Sequence, residues 1–193
     1  PAFTRPTKPI GYFYTEEEAR ALQRELGWRM REGSGRGWRL VVPSPEPRHI
    51  VDISLVEALA GRGAVVIAGG GGGIPVVRGP KKVRHGVEAV IDKDLTSALL
   101  ARVLGIDHLM ILTGVSRVSM HFGSPRERPL DRLGLAEARR LLAEGHFPPG
   151  SMGPKVEAAA RFLEGGGRRA IIAHLKEALP ALRGETGTQI VPD

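Results

Sequence analysis

The sequence predicts an α/β fold: a three-layer αβα sandwich on an open, mainly parallel sheet, with a small protruding subdomain. Two observations carry the sandwich. From Arg48 onward, helix-periodic stretches alternate with short apolar runs of strand length, the order in which parallel sheets are buried between helices. Two of those runs end in glycine, at Gly69 and at Thr113-Gly114, and such sheets bind ligands at the carboxyl ends of their strands. A third observation sets residues 1–47 apart. They are rich in Pro, Gly and charge and close on Pro43-Ser-Pro-Glu-Pro47, which marks a loop-dense excursion or lid. The expected division is therefore a protruding lid subdomain at 1–47 and a sandwich domain at 48–193.

Within the first part, a helix is expected over 15–26, because Thr15 is a favoured cap and Glu16-Glu17-Glu18 fill the first turn. A strand at 38–42 follows the turn formed by residues 33–37. In the second part, helices are expected at 52–59, 94–104, 135–144, 154–164 and 174–182. Strands are expected at 64–68, 87–91, 108–113, 169–173 and 188–191. No internal repeat is visible.

With 193 residues, 41% of them hydrophobic, the chain can bury one sizeable core. It contains no cysteine, which excludes disulfides, thiolate metal sites and a cysteine nucleophile. No apolar stretch reaches the length of a membrane span and no signal-peptide pattern opens the chain, so a cytoplasmic protein without a membrane partner is expected. Net charge is +7 and the pI is near 10.3. The excess is spread along the chain, and aromatic residues are only 5%, so nucleic acid is not the expected partner. The six histidines have no metal-ligand spacing, and no protein-held metal is expected. Pro1, in a turn-rich opening segment, is unlike a natural start and predicts a piece of a longer protein.

Three motifs point to an anion. In Gly145-His-Phe-Pro-Pro-Gly-Ser-Met-Gly-Pro-Lys155 a lysine stands at the start of a helix, where the partial positive charge of the unpaired N–H groups opposes it unless something negative binds there. Ser151 is the candidate cap, Pro154 suits the first turn, and His146 is the one histidine near this segment. In Val65-Val-Ile-Ala-Gly-Gly-Gly-Gly-Gly-Ile-Pro75 an apolar run enters Gly69, Gly70, Gly71, Gly72 and Gly73, whose amides are free of side chains and can converge on an anion. Neither a Walker loop nor a Rossmann turn fits, and an ordinary flexible loop is the plain alternative. In Ile91-Asp92-Lys93-Asp94 one acid serves as a helix cap, while a lysine between two carboxylates suits a group that grips a transferring phosphoryl oxygen. Structural ion pairing is the alternative there. The chain has six lysines against twenty-two arginines, so lysine at 8, 93 and 155 suggests that a compact point charge is wanted.

In order along the chain, Pro6-Thr-Lys-Pro-Ile-Gly11, Gly35-Arg-Gly-Trp38, Val41-Val-Pro-Ser-Pro45, Ala68-Gly-Gly-Gly-Gly-Gly-Ile-Pro-Val76, Val87-Glu-Ala-Val-Ile-Asp-Lys-Asp-Leu95 and the 145–159 segment closely resemble the carbamate kinases, a branch of the amino-acid kinase family. The resemblance implies an amino-acid kinase-like fold and magnesium-dependent, reversible phosphoryl transfer between ATP and carbamate, giving ADP and carbamoyl phosphate. It also implies a homodimer and a place in arginine metabolism. By motif, Lys93 and Lys155 match the lysines that stabilise the transferring group, Asp94 the acid that orients them, and Lys8 the lysine brought by the protruding subdomain. Gly69 to Gly73 match the acceptor and phosphate region. Thr113, Gly114, Val115, Met152 and Gly153 match the nucleotide site. The chain departs from the pattern at Tyr12, Leu40 and Ser116-Arg117. The family's N-terminal portion with its Gly-Gly-Asn loop has no counterpart in these residues, so an incomplete N-terminal portion is expected.

Overall fold

In the computed structural model, which describes residues 2–33 and 35–193, the chain divides into two compact units, 1–46 with 73–92 and 47–72 with 93–193. Pro1 and Ser34 lie outside the described residues, and with Ser34 part of the expected 33–37 turn. The sequence reading drew one boundary at 47/48. The hairpin segment 73–92 groups instead with the N-terminal residues, and the Val90 amide donates to the Pro43 carbonyl at 2.9 Å.

The first unit is built on a three-stranded antiparallel sheet in the order β1-β3-β2, with β1 at Lys8–Tyr14, β2 at Met30–Glu32 and β3 at Trp38–Val42. Helix α1 (Glu16–Leu26) starts as its sequence dictates. The Glu18 amide donates to Thr15 Oγ1 at 3.3 Å and the Thr15 amide to Glu18 Oε2 at 2.7 Å, a reciprocal capping box. The amide and hydroxyl of Thr15 hold the Glu18 carboxyl below its usual range. Gly27, with φ 66°, ends the helix in the left-handed conformation that glycine favours. Strands β4 (Val76–Arg78) and β5 (Arg84–Gly86) form an exposed antiparallel hairpin. The strand expected at 87–91 is not one: ladder pairing stops at Gly86, and the run continues without a neighbouring strand.

In the second unit, α2 (Ile53–Ala60) precedes α3 (Lys93–Val103), β6 (His108–Thr113), β7 (Val118–Met120), β8 (Arg128–Leu130), β9 (Arg132–Gly134), α4 (Leu135–Ala143), α5 (Met152–Glu164), β10 (Arg169–His174), α6 (Ala178–Leu182) and β11 (Thr188–Val191). The main sheet runs β6-β10-β11-β9. The β6–β10 and β11–β9 pairs are parallel and the β10–β11 pair is antiparallel. Alternation along β10 assigns its two faces. Ala170 and Ile172 join the main core with Val156, Ala159 and Phe162 of α5, whereas Ile171 and Ala173 pack with Ala181 of α6 and Met110. Helix α5 packs on α3 and on α4, all three pack on the strands, and the five-residue α6 packs on β10 from the second face.

Long-range polar contacts tie this unit together. Thr188 accepts from the Val118 amide at 2.8 Å and donates to the Leu130 carbonyl at 2.6 Å, joining the β7–β8 hairpin to the sheet. The carboxylate of Asp193 accepts from the Ala136 amide at 3.0 and 3.1 Å, so it serves the start of α4, where Gly134 has no side chain to cap with. Arg139 bridges Glu157 at 2.5 Å and Glu164 at 2.6 Å. Hydrogen bonding to Arg139, with the added charges of Arg139 and Arg161, outweighs burial and holds the Glu164 carboxyl below its usual range.

Two expected elements differ in this unit. Residues 64–68 pair with no strand, and Val65 and Ile67 are 96% and 97% exposed. An apolar run shows what can become a strand, while a strand also needs a neighbour. The helix expected over 174–182 is confined to Ala178–Leu182, because His174 completes β10 and its Nδ1 accepts from the Lys176 amide at 3.1 Å in a turn.

Candidate active site

Two buried acids flank Lys93, and each has its own lysine. Asp92 pairs with Lys8, the first residue of β1, within the first unit. Asp94 accepts from Lys155 Nζ at 2.9 Å within the second unit, the two side chains being 10% and 12% exposed. The packing of α3 against α5 joins Asp94 to Lys155 across 61 residues of sequence. Asp94 in the first turn of α3 is favoured by the helix dipole, and Lys155 in the first turn of α5 is opposed by it. Their ion pair resolves that conflict. The negative partner that the sequence called for beside Lys155 is thus present within the chain itself, and Lys93, expected between the two carboxylates, is exposed.

Ser151 occupies the N-cap position of α5 but makes no cap bond; its hydroxyl donates to the Pro148 carbonyl at 3.3 Å. The helix begins at Met152, two residues before the expected start. Met152 packs against the core, and the Gly153 amide donates to Pro148 at 3.0 Å. His146 meets His121 edge to face at 4.9 Å and lies 3.2 Å from Glu144.

The glycine run is a tight turn. Gly69, Gly70, Gly72 and Gly73 have φ of 76°, 47°, 137° and 90°, a region L side chains rarely enter, and the Gly72 amide closes onto the Gly69 carbonyl at 2.8 Å. Thr96 on α3 donates its hydroxyl to the Gly72 carbonyl at 2.7 Å. One helix turn therefore carries both the acid that holds Lys155 and the hydroxyl that holds the glycine turn. Gly69 to Gly72 belong to the second unit and Gly73 opens the second segment of the first. Thr113 ends β6, its carbonyl accepting from the Leu175 amide at 3.0 Å, and Gly114 and Val115 follow directly.

Sequence reasoning missed the Lys8–Asp92 pair and Thr96. Asp92 was visible within its motif, but its partner lies 84 residues away. Thr96 carried one signal, a hydroxyl three residues past Lys93 on the buried side of an amphipathic helix. Among the described residues no group of three or more His, Asp or Glu side chains converges as a metal site.

The amino acid kinase family matches over residues 13–174. Carbamate kinase of Pyrococcus furiosus is 53% identical over 192 residues, which cover 100% of this chain and 61% of that protein. The carbamate kinase-like protein YahI of Escherichia coli is 52% identical, over 99% of this chain and 61% of its own length. The structure of carbamate kinase from Giardia lamblia bound to AMP-PNP superposes with a TM-score of 0.83 at 49% identity, covering 100% of this chain and 61% of that one. The chain thus spans about three fifths of the length of the proteins it matches.

Proposed function

This chain belongs to the amino acid kinase family, and from that premise we propose that it is the larger part of an ATP:carbamate phosphotransferase. The reaction is reversible transfer of the γ-phosphoryl group of ATP to carbamate, giving ADP and carbamoyl phosphate. The observation that carries the reading is the Asp94–Lys155 pair at the starts of α3 and α5. A lysine held by a carboxylate beside two helix N-termini is a preorganised positive charge, and phosphoryl transfer is accelerated chiefly by such charge aimed at the transferring oxygens. In this reading Lys155 and Lys93 neutralise charge building on the phosphoryl group, and Asp94 fixes the direction of the Lys155 ammonium. The Gly69–Gly73 turn, braced by Thr96, presents amides to phosphate and acceptor, and Thr113, Gly114, Val115, Met152 and Gly153 border the nucleotide.

Magnesium suits this arrangement as a companion of the nucleotide, since Mg²⁺ is commonly held by substrate phosphates, water and one or two carboxylates. It would supply charge neutralisation on the phosphates. Homodimeric assembly and a cytoplasmic location belong to the same proposal. The test is formation of ATP from ADP and carbamoyl phosphate, coupled to hexokinase, by the chain extended to the length of its relatives. Lys93→Ala and Lys155→Ala should each lower kcat by about 10²–10³; full activity in either variant removes its assigned role. The length difference favours a second reading, a nucleotide-binding or dimerisation module without catalysis. It is adopted if the extended chain binds ATP but turns over neither carbamate nor another carboxylate-like acceptor.

A further inference from the structure

We propose that the β4–β5 hairpin is a docking edge for an extended polypeptide segment in which acidic and apolar residues alternate. The charge of the hairpin is one-sided. From Ile74 to Val87 the chain carries Arg78, Lys81, Lys82 and Arg84 and no Asp or Glu, and among the described residues no carboxylate pairs with any of the four. Arg78 and Arg84 stand directly opposite each other in the ladder, a like-charge pairing that weakens a hairpin unless an anion lies beside it. The turn adds to this. The Val83 amide closes onto the Pro80 carbonyl at 3.3 Å, and the central residues Lys81 and Lys82 have φ of 57° and 64°, the left-handed pair of a type I′ turn, where Asn-Gly is favoured. Two lysines thus take an unfavourable backbone conformation at the tip and gain no partner for it within the chain, and local rules broken without a compensating contact are expected at functional positions. The tip is nevertheless fixed. The Gly79 amide donates to the Val83 carbonyl at 2.8 Å, and the His85 ring covers Gly79 so closely that a Cβ there would lie 2.7 Å from it.

Two further observations choose the partner. Strands β4 and β5 pair only with each other, so each keeps an outer edge whose main-chain groups can receive an added strand. Alternation puts Arg78 and Arg84 on one face and Val77, Val83 and His85 on the other, and Val77 and Val83 are 49% and 52% exposed. A strand added at the edge continues both faces, so acids at every second position would meet the arginines, and the apolar residues between them would meet the valines. The hairpin has no Phe, Tyr or Trp on which nucleic-acid bases could stack. This inference stands on the hairpin alone, whichever acceptor the enzyme phosphorylates.

Fluorescence anisotropy of labelled peptides tests it on the chain extended to the length of its relatives, with the 193-residue chain alongside. A peptide of alternating Glu and Val should bind both chains, at least about fivefold tighter than the same residues arranged as a Glu block and a Val block, and raising the salt from about 50 to about 200 mM should weaken it at least about threefold. Arg78→Glu, which gives Arg84 an opposite charge across the ladder and so keeps the hairpin, should weaken binding at least about tenfold. Lys81→Asn/Lys82→Gly installs the favoured turn pair, so it should slow hydrogen exchange at the Val83 amide and yet weaken binding at least about fivefold. Undiminished binding by either variant overturns the proposal, as do equal affinities for the alternating and block peptides, or binding by the 193-residue chain but not by the extended one. Tighter binding of a single-stranded oligonucleotide or of phosphatidylserine vesicles than of the alternating peptide would name a different polyanion and also overturn it.

Discussion

The Asp94–Lys155 pair should behave as a coupled, asymmetric unit, and a double-mutant cycle with Asp94→Asn and Lys155→Met measures it. At 2.9 Å, opposite unit charges attract by about 6 kcal/mol at an effective dielectric constant near 20 and by about 1.4 kcal/mol in water. The side chains are about nine-tenths buried, which favours the larger figure, while desolvation takes back several kcal/mol. A net coupling of about 2–3 kcal/mol is expected. The single costs should differ in a set order. Asp94→Asn strands an ammonium at the positive end of α5, whereas Lys155→Met leaves a carboxylate at the start of α3, where the dipole welcomes it. Asp94→Asn should therefore cost about 3 kcal/mol and Lys155→Met about 2 kcal/mol, with the double variant near the milder single. At about 2–4 °C per kcal/mol, Asp94→Asn should lower Tm by roughly 6–12 °C. Urea denaturation followed by far-ultraviolet circular dichroism is the suitable assay, since Trp28 and Trp38 both lie in the first unit and report on the wrong place. Additive effects, with coupling below about 0.5 kcal/mol, would refute the reasoning, and so would Lys155→Met being the costlier change.

Three further outcomes are expected. Thr96→Val removes the hydroxyl bound to Gly72 and should cost about 1–2 kcal/mol in urea denaturation; under the proposed function, in the chain extended to the length of its relatives, it should raise KM for carbamoyl phosphate more than it lowers kcat. Glu164 has a folded-state pKa below its unfolded one, so its contribution is fully present above the unfolded value near 4.5 and fades as pH falls through the folded value. Because the side chain is about half exposed, that contribution is at most about 0.5 kcal/mol after solvent screening, and the Tm values of wild type and Glu164→Gln should converge on acidification below pH 4. Phe162→Ala empties a position in the main core where the ring is 1% exposed, and should cost about 3–5 kcal/mol by thermal denaturation.

Where an element's own residues supply its stabilisation, the sequence was sufficient. Thr15 and Glu18 cap α1 locally, and the apolar periodicity of α4 and α5 together with the strand runs of β6, β10 and β11 placed those elements within a residue or two. The three-residue strands β7, β8 and β9 were not legible, because so short a segment has too few positions to show alternation and is held by contacts such as that of Thr188. The runs at 64–68 and 87–91 show the converse error. Their composition suits a strand, but pairing is a property of two segments.

The candidate site divides along the same line. Lys155 and the glycine run stand out in the sequence because their chemistry is local: a cation at a helix start is unfavourable wherever that helix lies, and φ values such as that of Gly72 suit glycine in any fold. Which charge answers which was decided only in three dimensions. Asp94 meets Lys155 across 61 residues and Asp92 meets Lys8 across 84, and Thr96 reaches a carbonyl 24 residues back. By itself the sequence showed that a negative partner is favoured beside Lys155 at its helix start, because a helix dipole acts over one or two turns. Only the tertiary structure decided the partners, because the short-range contacts of an ion pair or hydrogen bond form only after the packing of α3 against α5, and of each sheet, has brought distant segments together.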